Sequence, residues 1–139
     1  VIGMKDSGGQ LENLLRCMDL RGGAFNTASG GDGDILAALA LGIDACVSGN
    51  ANFVPELIVD LYGAASSGDL PRARTLQAQV NHVRHLLEDG RDLSLFKAIL
   101  AARGLPVGTV RAPLAPVSED IARQKWHALQ ALGVPLDAA

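Results

Sequence analysis

Short apolar runs alternate with longer amphipathic stretches over about the first 66 residues. The short runs, each closed by glycine or polar residues, predict strands at about Val1–Met4, Ala24–Ala28 and Asp44–Ser48. The longer stretches, with apolar residues three or four positions apart, predict helices at Gln10–Leu20 and Asp34–Leu41 and a third helix that Asn52 caps. Strands that alternate with helices in this way are typical of a parallel sheet with helical crossovers.

The pattern beyond residue 66 is helical throughout. It predicts a long helix from an Asp69 cap to about Leu87, a helix over Leu93–Arg103 and a last helix from a Ser118 cap to about Leu132. We therefore expect two parts in this α/β chain. Residues 1–66 would form three strand–helix units, and residues 67–139 would form a three-helix extension.

Each predicted strand ends in small or polar residues before the next helix opens. These strand ends are Lys5–Ser7, Ser29–Asp32 and Ser48–Asn50. Because the carboxyl ends of parallel strands meet at one edge of a sheet or barrel, we expect the three segments to lie together. That edge is where such folds place their active sites.

The lysine in the first of these segments is unusual. Val1 and Ile2 predict a buried strand, which would put Lys5 at its last position. Lysine is rarely buried without a partner. Burial disfavours the ammonium form and leaves an amine that can attack a ketone and form an imine. The simpler alternative is a surface lysine that follows a strand end.

Composition and charge narrow the classes of function. The 139 residues carry a net charge of -3 without a basic block, so we expect no nucleic-acid partner. No apolar run has the length of a membrane span, so we expect no membrane partner either. Cys17 and Cys46 form no paired motif, which suits a reducing compartment and a cytoplasmic protein. Val1 already lies in a predicted strand, so we expect a later part of a longer protein.

Two other patterns have ordinary structural explanations. Ser29–Gly33 is compatible with a tight turn whose acid, Asp32, precedes a helix, and it lacks the lysine pattern of a phosphate-binding loop. His82 and His85 have no third ligand nearby in sequence. We therefore expect these two histidines on the surface and no metal site.

Taken in order, several motifs carry a resemblance to a known family. They are Gly3–Gly9, Ser29–Asp32, Gly42–Asn52, Gly68–Leu70, Ala73–Arg74, Phe96–Leu100, Arg103–Leu105 and Val110–Leu114. The set resembles the dihydrodipicolinate synthase/N-acetylneuraminate lyase family of class I aldolases and lyases. That resemblance implies strands six to eight of a TIM (β/α)8 barrel, followed by a C-terminal helical extension.

The resemblance also implies roles for particular residues. Lys5 would be the Schiff-base lysine, and Gly30 would bring its backbone carbonyl near that lysine. The further substrate contacts would fall at Asp32, Val47, Ser48 and Gly49. Gly49 stands where the family has a serine, so the contacts that this serine would make with substrate hydroxyl groups are not expected here. No metal or organic cofactor is implied, because the lysine itself serves as the electron sink.

The implied function is a lyase or aldolase that cleaves or forms a C–C bond with pyruvate or a related 2-oxo acid. Sialic acid lyase and 2-keto-3-deoxy-sugar-acid aldolase are alternatives within the family. In the family, strands one to five supply a carboxylate-binding motif and a proton-relaying tyrosine, for which Tyr62 is a poor substitute. A catalytically silent half-barrel that acts only in assembly is therefore a further alternative. The family also implies a homo-oligomer, and we expect the long helix Asp69–Leu87 and its neighbours to mediate self-association.

Overall fold

The computed structural model describes residues 1–20 and 25–136. The strands and helices along these residues are β1 (Gly3–Asp6), α1 (Leu11–Leu20), β2 (Asn26–Ser29), α2 (Ile35–Ala40), β3 (Ala45–Cys46), α3 (Pro55–Ser66), α4 (Leu70–Leu86), α5 (Leu93–Ala102) and α6 (Glu119–Ala131). Single 3₁₀ turns lie at Asp32–Asp34, Asn50–Asn52 and Glu88–Gly90. Ala24, the first residue of the second predicted strand, lies outside the described residues.

The strands form a parallel sheet in the order β1-β2-β3. Lys5 lies opposite Ala28 in the β1–β2 pair, and Ser29 lies opposite Cys46 in the β2–β3 pair. Each pair of consecutive strands is joined through a helix, so the strands point the same way and their carboxyl ends share one edge. The predicted parallel sheet with helical crossovers is confirmed.

The strands differ from their predicted bounds. β1 begins at Gly3, and Val1 and Ile2 are exposed rather than buried, because no described segment packs over their side chains. β1 continues through Asp6, so the prediction that Lys5 ends the strand was wrong, and the Lys5 side chain is exposed. β3 is reduced to two residues, Ala45 and Cys46, which pair with Ala28 and Ser29 of β2.

Local capping signals place two of the helices correctly. Asp69 accepts a hydrogen bond from the Arg72 N–H at 3.2 Å, and Ser118 accepts one from the Ile121 N–H at 3.4 Å. The predicted Asn52 cap was wrong. The Asn52 side chain instead donates to the Gly49 carbonyl at 2.9 Å, and α3 begins with Pro55, whose missing N–H needs no cap.

The main hydrophobic core lies among the helices. Its buried members are Ile35, Phe53, Val54, Leu57, Ile58, Leu61, Ala64, Ala73, Val80, Val83, Leu87, Ile99, Leu129 and Val134. A smaller cluster of Leu14, Ala38 and Ile43 lies under α1. The main cluster includes residues from both sides of position 66, and the division into residues 1–66 and 67–139 stays a prediction.

A buried arginine fastens α5 to the start of α3. The Arg103 guanidinium donates to the Phe53 carbonyl and to the Glu56 carboxylate. Its side chain is 5% exposed, whereas that of Glu56 is 42% exposed. The hydrogen bond from Arg103 holds the pKa of Glu56 below its usual value.

Candidate active site

Lys5 and Gly30 lie next to each other at the carboxyl edge of the sheet. A Cβ on Gly30 would lie 3.0 Å from the Lys5 Cε, and it would collide with the Ser7 Oγ. The Gly30 N–H donates to the Asp6 carbonyl at 2.7 Å, which holds the ends of β1 and β2 together. Because Gly30 has no side chain, the Lys5 side chain can extend along this edge of the sheet.

Asp32 connects the loop after β2 to the loop after β3. Its Oδ2 accepts a hydrogen bond from the Asn50 N–H at 3.0 Å, and its backbone carbonyl accepts one from the Gln77 side chain at 2.9 Å. The second carboxylate oxygen, Oδ1, is buried and has no hydrogen-bond partner in the described part of the chain. Buried side-chain acceptors are normally paired, so this oxygen is an exception at the cleft.

The third predicted strand end, Ser48–Asn50, belongs to the loop after β3, and Val47 directly precedes it. The Val47 N–H donates to the Ser29 carbonyl at 2.8 Å, and half of the Val47 side chain is exposed. The Ser48 Oγ accepts from the Ala51 N–H at 3.1 Å, so this hydroxyl closes a turn. A Cβ on Gly49 would lie 3.4 Å from the Phe96 ring and 3.8 Å from the Asp32 Oδ2.

These loops form one wall of an open cleft of about 710 Å³. The residues around it are Ser7, Gly8, Gly9, Gly30, Gly31, Asp32, Gly33, Asp34, Gly49, Asn50, Asn52, Arg84, Asp89, Gly90, Leu93 and Phe96. Of the predicted site residues, Gly30, Asp32 and Gly49 line the cleft. Lys5, Val47 and Ser48 are adjacent to lining residues but do not line the cleft themselves.

The sequence patterns missed the contribution of the helical extension. Gln77, Asn81 and Arg84 form a polar stripe on α4, spaced four and three residues apart, that faces the Asp32–Asp34 turn. A Cβ on Gly33 would lie 2.9 Å from the Arg84 Nη1, so glycine at this position admits the guanidinium to the cleft. The spacing of these three polar residues along one face of α4 is the signal that could have identified this stripe.

Charge in the cleft is mainly negative. Asp32, Asp34 and Asp89 contribute carboxylates, and Arg84 is the one basic residue among the described lining. Arg84 Nη2 lies 3.5 Å from the Asp89 Oδ1. Just behind the cleft, burial raises the pKa of the Cys46 thiol, and the charge on Asp32 adds to this shift.

The other titratable candidates lie outside the cleft. Tyr62 is on α3, is 41% exposed and does not line the cleft. The His85 Nδ1 lies 3.1 Å from the Asp89 Oδ1, and His82 is exposed. Among the described residues, no group of three His, Cys, Asp or Glu side chains could hold a metal ion.

Comparison with known structures defines the class of fold. The chain matches the Escherichia coli K12 protein YagE, a prophage protein of the dihydrodipicolinic acid synthase family solved in complex with pyruvate. The TM-score is 0.83 at 26% identity, and the match covers 97% of this chain and 47% of YagE. The chain therefore has the fold of the C-terminal part of a (β/α)8 barrel with its helical extension.

The chain belongs to the dihydrodipicolinate synthetase family, whose sequence model matches residues 1–132. A DapA-like lyase of Halobacterium salinarum is 36% identical over 118 residues, which is 85% of this chain and 38% of that protein. The "probable 2-dehydro-3-deoxy-D-pentonate aldolase" of Escherichia coli K12 is 31% identical over 133 residues, 93% of this chain and 44% of that protein. The chain thus spans less than half the length of these relatives. None of the described helices is long and apolar enough to cross a bilayer.

Proposed function

We propose that residues 1–139 supply the imine-forming lysine and one wall of the substrate cleft of a class I aldolase or lyase. Its substrate is pyruvate or a related 2-oxo acid. The observation that carries the proposal is the contact between Lys5 and Gly30 at the carboxyl edge of the sheet, directly beside the cleft. The pyruvate complex of the similar protein YagE supports the choice of substrate class.

The proposed reaction needs one reactive amine and no further electron acceptor. The Lys5 amine adds to the C2 carbonyl carbon of the 2-oxo acid, and loss of water gives a protonated imine. In the cleavage direction, the C4 hydroxyl of the bound substrate gives its proton to water and becomes the carbonyl of an aldehyde. The C3–C4 bond breaks, its electrons move into the imine, which becomes an enamine, and the aldehyde leaves. Protonation of the enamine at C3 and hydrolysis then release pyruvate and the free lysine.

The remaining predicted residues have places in this scheme. Asp32 and Gly49 would contact the part of the substrate beyond the imine, because they line the cleft. Val47, whose side chain is half exposed beside the same loops, would pack against the bound 2-oxo acid. Ser48 would act less directly, since its hydroxyl already accepts the Ala51 N–H.

Borohydride trapping tests the proposal on two proteins. One is the 139-residue chain, and the other is the same chain joined behind the first half of YagE, called the joined protein below. Reduction in the presence of pyruvate should add one pyruvyl group to the joined protein, and peptide mass spectrometry should find it on Lys5. The chain's other lysines, Lys97 and Lys125, serve as internal controls. Labelling of either in place of Lys5 would contradict the assignment.

The assembly-only alternative makes the opposite prediction. The exposed Lys5 side chain and the exposed apolar Val1 and Ile2 are the observations that favour it. A silent half-barrel would leave Lys5 unlabelled in the joined protein under conditions in which YagE itself is trapped.

We also propose self-association and a cytoplasmic location. Exposed apolar side chains on and beside the long helix α4, such as Leu70 and Tyr62, support an interface between copies of the chain. Sedimentation that shows a well-folded monomer at all concentrations would contradict it. The free thiols Cys17 and Cys46 support a reducing compartment, which cell fractionation would test.

A further inference from the structure

Gln77 lies in the middle of α4, outside the cleft lining, and bonds to the 3₁₀ turn before α2 and to the first turn of α2. Its Nε2 donates to the Asp32 carbonyl oxygen at 2.9 Å, and its Oε1 accepts from the Leu36 N–H at 2.9 Å. These bonds span 45 and 41 residues of sequence. Nε2 also donates to the Asn81 Oδ1 at 3.1 Å, so both ends of the amide are used.

The bond to Leu36 replaces a missing helix cap. Leu36 lies in the first turn of α2, where backbone N–H groups have no partner within the helix. Asp34 stands at the N-cap position but makes no capping bond, because its carboxylate accepts from the Ser29 Oγ at 3.3 Å. Gln77 therefore caps α2 from another helix, and the 3₁₀ turn before α2 is held at both ends.

That turn carries the one buried carboxylate oxygen without a partner in the described part of the chain. The Asp32 Oδ2 is fixed by the Asn50 N–H, while Oδ1 has no hydrogen bond. An unsatisfied buried acceptor costs free energy, and a small rotation of the turn toward water would relieve that cost. The hydrogen bonds from Gln77 to the Asp32 carbonyl and the Leu36 N–H oppose this rotation, because they hold the backbone at both ends of the turn.

We propose that Gln77 is a positioning residue, which keeps the Asp32 carboxylate at the cleft wall through its hold on the 3₁₀ turn. The contact of Asp32 with substrate rests on the proposed function. The coupling of Gln77 to Asp32 does not depend on it. Two experiments separate these parts.

The first experiment is amide hydrogen exchange on the 139-residue chain. Gln77→Leu keeps most of the volume and removes both long-range bonds. The Leu36 amide should exchange about tenfold faster, since it loses its acceptor. The Asn50 amide, which Gln77 does not touch, should also exchange faster, because the Asp32 carboxylate that it binds is no longer held.

The matched control is Gln79→Leu. Gln79 lies two residues along the same helix and is also half-buried, and it makes no side-chain hydrogen bond among the described residues. Its replacement should leave the amides of Leu36 and Asn50 unchanged. An unchanged Asn50 amide in Gln77→Leu, or equal acceleration by both variants, would overturn the proposal.

The second experiment is kinetic and uses the joined protein. Gln77→Leu should lower kcat/KM for cleavage of a 2-keto-3-deoxy-sugar acid about tenfold, mainly through KM. Trapping of pyruvate on Lys5 should stay within about twofold of the unsubstituted protein, because Gln77 makes no contact near that amine.

A double-substitution cycle decides whether Gln77 acts through Asp32. In an Asp32→Ala background, Gln77→Leu should cause no further loss of kcat/KM. Additive losses would overturn the positioning role, because independent structural effects add. If the unsubstituted joined protein forms no adduct at Lys5, the proposed function fails. The hydrogen-exchange result then still decides whether Gln77 holds Asp32.

Discussion

The helical region and the strand region of this chain differ in what covers them. Val80, Val83 and Ile99 are fully buried among the helices. On the strand side, by contrast, Ile2 is 80% exposed and Val47 is 50% exposed. The helices pack against one another, whereas the sheet has two strand edges that no described segment covers.

This difference places most of the stabilising core among the helices and the reactive lysine on the strand side. The helices bury most of the apolar surface, which is the main source of folding free energy. Lys5 lies in β1 and Gly30 directly follows β2, at the carboxyl edge of the sheet beside the cleft. Substitutions in the two regions should therefore affect different measurements.

The largest expected difference concerns turnover. We expect the joined protein to release pyruvate at least about 10² to 10⁴ times faster than residues 1–139 alone, because general acid–base help is typically worth that much. The chain alone leaves Lys5 exposed and offers no nearby tyrosine among its described residues. The turnover of both proteins would be measured as pyruvate release from 2-keto-3-deoxy-sugar acids and from sialic acid. Condensation of pyruvate with aspartate semialdehyde would be measured beside it. Comparable turnover by both proteins would mean that the strand region suffices.

The next effect tests where stability is located. Leu61→Ala on α3 should lower the free energy of unfolding by about 2 to 5 kcal/mol, because it leaves a cavity at a fully buried position. Val59→Ala on the same helix, at a position 67% exposed, should change it by less than about 0.5 kcal/mol. Urea unfolding of both variants provides the comparison. Similar losses at the two positions would show that α3 is covered on both faces in solution.

A smaller effect tests the close approach at the strand edge. Gly30→Ala would put a methyl group against the Lys5 Cε and the Ser7 Oγ, so trapping of pyruvate by the joined protein should fall about tenfold. Gly63→Ala is the control, since a Cβ there meets no described heavy atom within 4 Å and lies in a helix. It should stabilise the protein by up to about 1 kcal/mol without changing trapping. Normal trapping by Gly30→Ala would show that Lys5 reaches substrate along another path.

The smallest effect is acid sensitivity at the α3–α5 contact. The pKa of Glu56 is lowered in the folded protein by its hydrogen bond from Arg103. Its contribution to stability is therefore fully present above the unfolded pKa of about 4.3 and is lost as pH falls through the lower, folded value. Glu56→Gln should flatten that part of the pH–stability curve, whereas Glu119→Gln should not. A curve unchanged by Glu56→Gln would remove this pair as the cause.

The sequence could predict the features that depend on neighbours along the chain. Asp69 and Ser118 cap their helices as expected, because a cap bonds to an N–H only three residues away. The Asn52 prediction failed for the same local reason, since Pro55 sets the first helical residue and frees Asn52 to close the preceding turn. The parallel sheet followed from the alternation of strands and helices.

Features that join distant segments could not be predicted in this way. Nothing in the sequence around Gln77 indicates Asp32 and Leu36 as its partners, and Arg103 meets Phe53 and Glu56 across a comparable separation. The burial of Val1 and Ile2 was predicted from their apolar character alone. Burial requires a covering layer, and a strand pattern does not supply one.

The cysteine behind the cleft offers a chemical reporter of its loops. Burial and the nearby Asp32 disfavour the thiolate of Cys46, and the thiolate is the form that reacts with disulfide reagents. Slow modification of Cys46 would thus report a thiol that stays buried beside Asp32, and faster modification would report loss of that burial. Because the thiol is native to the chain, the packing around β3 can be followed without adding a label to the cleft.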